Sequence, residues 1–149
     1  MAGYVIRPES GFINLSPLGF RRWAGHYLKC FHDFQQPDDG FSPVPYFLLC
    51  RSIELHIKAL HLETKRQRQV KNDYGHNLVK AFDALPESER VAMAADERAV
   101  FEQANTMYKD KGFEYFAVMD AATAFKRAPR LRTLESLAAR FAAQAAARD

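Results

Sequence analysis

The side chains best placed for chemistry fall on one stripe. Arg51, Glu54, Lys58, His61 and Lys65 recur at steps of three and four within residues 46–65, and on a helix that spacing keeps all five within an arc of roughly 80°. A carboxylate between an arginine and a lysine forms an intrahelical ion-pair set. If the stripe opens onto a cleft, the same groups can grip a phosphate, and a histidine among them can move a proton. Both readings stay open, a part-buried network and a ligand cleft. A basic run, Lys65, Arg66, Arg68 and Lys71, contains no acid. It reads as a solvated connector or as a phosphate or RNA contact. Lys126, Arg127, Arg130 and Arg132 form a second such group, with an acidic protein partner as a third possibility. His76 follows in a Gly-His-Asn turn with four residues between it and Lys71. Lys71, Asn72 and His76 are therefore the candidate catalytic set, although His76 reads equally as a brace for the turn.

Helices must position these groups. Residues 46–65 contain no Gly or Pro and are apolar on two sides, with Tyr46, Leu49, Cys50, Ile53, Ile57 and Leu60 on one arc and Leu48, Leu55, Ala59 and Leu62 on another. A helix with two apolar faces belongs at the centre of a bundle. Ser16 and Pro17 predict a capped first helix over 17–34, with Trp23, Tyr27 and Phe31 on its apolar face. The Pro- and Gly-containing residues 35–45 form a loop, with Pro45 in the first turn of the central helix. Asn77 predicts a cap for a short helix over 78–85, and Pro86 ends it. Residues 87–111 read as one long helix in which a break near Met93 is compatible with the pattern. Residues 113–125 are too densely apolar for periodicity to decide, and 117–127 is taken as helix. Thr133 is expected to cap a last helix whose Leu134, Leu137, Phe141 and Ala145 stripe suits close helix approach or a dimer seam. Residues 1–15 read as an extended arm. The expectation is a single all-α domain over 1–149, an antiparallel bundle of five to six helices.

Composition bounds the function. With 149 residues, 48% hydrophobic and 26% charged, the chain is long enough for one real core and too balanced for a disordered or rod-like protein. A net charge of +3 is too small to announce nucleic-acid binding on its own. Neither a signal peptide nor a membrane-spanning run is evident, so a cytoplasmic protein with no membrane partner is expected. Cys30 and Cys50 read as reduced core thiols, with a disulfide between them left open. No ligand spacing implies a metal and no Gly-rich loop a phosphate cradle, so no cofactor is expected.

Glu54, then Lys58-Ala59-Leu60, a variable connector, Gly75-His76-Asn77-Leu78, Phe82 and Leu85 together resemble the HEPN superfamily of nucleotide-associated helical domains. The resemblance covers about forty residues. It implies a helical bundle, frequent homodimers, roles around nucleotides or RNA, and toxin–antitoxin pairs with nucleotidyltransferase-like protein partners. Ribonucleases of the family use an arginine, four to six residues and a histidine from each subunit of a dimer. Arg21 with His26 and Arg51 with His56 fit that spacing, but thirteen arginines and five histidines supply such pairs by chance. At the family-like turn Lys71 stands where an arginine is expected, and an ammonium lacks the planar fork that holds two phosphate oxygens. The resulting expectation is an accessory protein that binds nucleotide, RNA or a protein partner without catalysis. A metal-independent ribonuclease and a pure protein-interaction module are the alternatives. The binding candidates are Arg51, Glu54, Lys58, His61, Lys65, Arg66, Arg68, Lys71 and His76.

Overall fold

A computed structural model describes residues 16–148, and every regular element among them is helical. The helices are α1 (Pro17–Asp33), α2 (Val44–His61), α3 (Gln67–Tyr74), α4 (Leu78–Asp83), α5 (Ala95–Lys109), α6 (Val118–Ala122) and α7 (Leu131–Ala146), with a 3-10 turn at Glu87–Glu89. The all-α bundle matches the expectation, while the count rises from five or six to seven among the described residues. The expected arm at 1–15 lies outside them.

Local chemistry explains several of the helix starts. The Ser16 hydroxyl accepts the Gly19 N–H at 3.3 Å and Pro17 opens α1. Asn77 caps α4 by accepting the Lys80 N–H at 3.0 Å. Asn105 of α5 adds to that cap, accepting the Leu78 N–H at 2.7 Å and donating to Asn77 Oδ1 at 3.1 Å. The long helix expected over 87–111 is two pieces, the 3-10 turn and α5, because Arg140 takes the Ala92 carbonyl that a continuous helix would use. Arg90, just past the turn, donates to the Leu85 and Asp83 carbonyls that precede it. The Ala94 N–H then donates to Glu97, starting α5. The last helix starts at Leu131, so Thr133 lies in its first turn and does not cap it. The helix expected over 117–127 shrinks to α6, because Ala124 and Phe125 turn to φ +53° and +55°.

α2 is the hub, packing against α1, α4, α5 and α7. Leu49, Ile53, Ile57 and Ala59 are fully buried, as the two-sided apolar pattern requires. Leu134, Leu137, Ala138 and Phe141 of α7 are buried in the same core, Phe141 standing edge-on to Phe82. The alanine-rich stripe therefore serves helix approach within the chain and does not form an exposed dimer seam. Cys50 is buried, whereas Cys30 is exposed, contrary to its expected core position. It sits roughly 100° round α1 from Phe31, off the packed face. Neither thiol is in a disulfide.

On the α1 side of α2, Ser52 donates to the Ala24 carbonyl at 2.8 Å. One turn on, His56 is 5% exposed, and neither ring nitrogen has a partner. Burial, with a smaller contribution from Arg21, holds its pKa down at about 4 against 6.5. Burial also lowers that of His61. With a folded pKa below the unfolded one, the unfolded chain binds more protons between pH 6.5 and about 4, so stability falls as pH falls through that window. His56 accounts for about 3 kcal/mol of that loss. His56→Leu should flatten this slope and leave stability at pH 7 equal or higher, since it removes unsatisfied buried polar atoms. Urea unfolding at a series of pH values measures both.

Candidate functional site

The centre of the site is a carboxylate inside the apolar hub. Glu54 is 2% exposed. Its Oε1 accepts from Lys58 Nζ at 2.5 Å and His76 Nδ1 at 3.1 Å. Its Oε2 accepts from Arg51 Nη1 at 3.0 Å and from the Tyr108 hydroxyl. Two donors per oxygen saturate the group. Burial pushes the Glu54 carboxyl up, but Lys58, Tyr108 and Arg51 outweigh it and hold the group below its usual value, ionised. Burial and the Glu54 charge push the Tyr108 hydroxyl up, so it stays a donor.

Local geometry brings each donor in. Arg51 and Lys58 lie one turn to either side of Glu54 on α2, and the Arg51 guanidinium also sits 5.8 Å from the Tyr27 ring centre. Tyr108 comes from the last turn of α5. His76 arrives from the α3–α4 turn, where Gly75 ends α3 at φ +52°, a conformation that side-chain-bearing residues disfavour. Facing an ionised acceptor, Nδ1 of His76 must carry a proton. The other ring nitrogen, Nε2, belongs to a side chain that is 50% exposed.

This network floors a cleft of about 400 Å³. Phe20 and Trp23 of α1 form one wall, Leu55 and Leu62 continue the floor, and Gln67, Val70 and Lys71 of α3 form the other wall, with Gly75 and His76 at one end. Arg51, Lys58, Lys71 and His76 all line it, while Glu54, the acid that Arg51, Lys58 and His76 share, sits beneath. The opening is therefore apolar and aromatic on its sides and net positive at its base.

Of the expected residues, the fold gathers Arg51, Glu54, Lys58, Lys71 and His76 at one place. It uses the others elsewhere. His61 is buried, with Nε2 donating to the Ala81 carbonyl at 2.7 Å and its ring stacked on Tyr74. Lys65 donates to the Tyr74 hydroxyl at 2.6 Å and lies 3.8 Å from Asp73. Arg66 and Arg68 are exposed outside the cleft lining, and Asn72 lies roughly 140° round α3 from Gln67. The basic run is thus split by α3, and Lys71 alone among its four members lines the cleft. Trp23 is expected on a packing face, and Phe20 and Tyr108 are not among the sequence candidates. A buried tyrosine hydroxyl does need a partner, and that was the signal for Tyr108. Among the described residues, no cluster of His, Cys, Asp or Glu could hold a metal. Comparison with family models, curated proteins and solved structures finds no match.

Since the network is buried, Glu54→Gln should cost about 2 to 4 kcal/mol, leaving Arg51 and Lys58 without their counter-charge. Guanidinium denaturation of the variant checks this, and a loss under about 0.5 kcal/mol would show that the stripe is effectively solvated.

Proposed function

We propose that this chain is a HEPN-like accessory protein whose cleft binds a nucleotide, free or within RNA, without itself catalysing a reaction. One observation carries the reading: Arg51, Lys58, Lys71 and His76 all line one cleft whose wall holds the half-exposed Trp23. A phosphate needs several donors around a positive centre, and a base needs a flat aromatic or apolar surface. Glu54 already holds Arg51 and Lys58 in place, so little side-chain freedom is lost when an anion arrives. Gln67 offers an amide to a base edge. The proposed setting is the cytoplasm, which suits two free thiols. A homodimer belongs to the same proposal and would have to use a face other than the buried α7 stripe.

The ribonuclease reading keeps one specific support, the Glu54–His76 contact, which orients the ring and leaves Nε2 able to take a proton. Against it stands Lys71, whose ammonium cannot clamp a phosphate in two places.

Trp23 is the chain's one tryptophan, so its fluorescence reports occupancy of the cleft directly. Mononucleotides should quench it saturably, more weakly at high salt, and Lys71→Ala should weaken binding about tenfold. Absence of quenching and of calorimetric heat at millimolar nucleotide would refute the proposal. RNA should remain intact, whereas cleavage that His76→Ala abolishes would transfer the conclusion to the ribonuclease reading.

A further inference from the structure

The end of the molecule formed by residues 113–125 has a different construction. Four rings stack in sequence: Phe125 on Phe41 at 4.2 Å, Phe41 on Tyr46 at 5.3 Å, and Tyr46 on Phe113 at 5.4 Å. Phe113 and Phe125 thus tie both ends of the segment to the start of α2 and the loop before it. Arg127 closes the segment from within, donating to Asp120 through Nε at 2.5 Å and Nη2 at 2.8 Å, and the Phe125 N–H donates to the Asp120 carbonyl at 2.7 Å.

Between these clamps the large apolar side chains face water. Tyr115, Phe116, Val118 and Met119 are 73%, 71%, 79% and 69% exposed. Four such residues within five positions form a projecting apolar edge, far from the scattered single exposures of an ordinary surface. Bases surround it. Setting aside the Arg127–Asp120 pair, residues 109–130 carry Lys109, Lys111, Lys126 and Arg130 exposed, against Asp110 and Glu114. Lys126 shares a shallow hollow with Ala117 and Met119.

We infer that this edge docks on an anionic lipid surface, with Tyr115, Phe116, Val118 and Met119 entering the interface and Lys126 and Arg130 meeting the headgroups. Charge complementarity selects the occupant. A second copy would bring the same excess of bases against itself, whereas an anionic bilayer attracts them and accepts protruding apolar side chains without needing a matching groove. Among the described residues no helix is long and apolar enough to cross a membrane. Surface docking needs none: an apolar insertion plus a basic patch supplies the two signals that hold a protein to a bilayer face.

Co-sedimentation of the full chain with phosphatidylcholine vesicles, with and without about 30 mol% phosphatidylserine, tests the inference. Binding is expected to the anionic vesicles alone, and to fall with added salt. The double variant F116S/M119S should reduce it about tenfold or more. The variant K126E/R130E should also reduce it, and it keeps the test sound if the apolar variant misfolds by circular dichroism. Failure of the wild-type chain to sediment with anionic vesicles overturns the inference, as does wild-type binding by both variants. So does a wild-type dimer in light scattering that F116S/M119S converts to monomer, which would assign the edge to a second copy.

Discussion

A buried carboxylate tolerates few surroundings. Placed at the centre of an apolar helix, the Glu54 charge would be untenable without donors on both oxygens, and the structure meets that demand from three directions. Arg51 and Lys58 come from its own helix, Tyr108 from the last turn of α5, and His76 from the turn between α3 and α4. The placement of α5 and of that turn against α2 is therefore an electrostatic requirement as well as a matter of packing. The surface pairs differ in kind: Lys29 with Asp33 and Arg98 with Glu102 are exposed, locally formed and weak.

The same requirement shapes the cleft. Because the acid is beneath and the bases are above it, the surface that water meets is positive although the network holds a full negative charge. Arg51 and Lys58 are held by the acid they neutralise, so a ligand would find them already arranged. His76 belongs to both layers, one nitrogen in the network and the ring half in solvent.

The aromatic residues follow a parallel division. Phe82, Phe101 and Phe141 meet edge to face inside the core, while Phe41, Tyr46, Phe113 and Phe125 stack face to face near the surface. The first set fastens α4, α5 and α7. The second fastens an irregular segment whose intervening apolar side chains are left outside, and the positive φ of Ala124 and Phe125 is sustained by these anchors.

Periodicity carried the helical class, the central place of α2, the caps at Ser16 and Asn77 and the Arg51–Glu54–Lys58 set, because each depends on residues within a turn or two of one another. It overextended the helices at 87–111 and 117–127, where distant partners decide: Arg140 takes the Ala92 carbonyl, and Phe41 holds Phe125. Likewise no spacing rule separates His76, which reaches a carboxylate twenty-two residues back, from His61, which is spent on a carbonyl twenty residues on. Both are histidines near a basic run. The sequence by itself determined which side chains could form an ion-pair set on one helix. Only the tertiary structure decided that Tyr108 and His76 complete it and that Trp23 and Lys71 wall the space above, because burial and long-range hydrogen bonding belong to the packed chain and have no local signature.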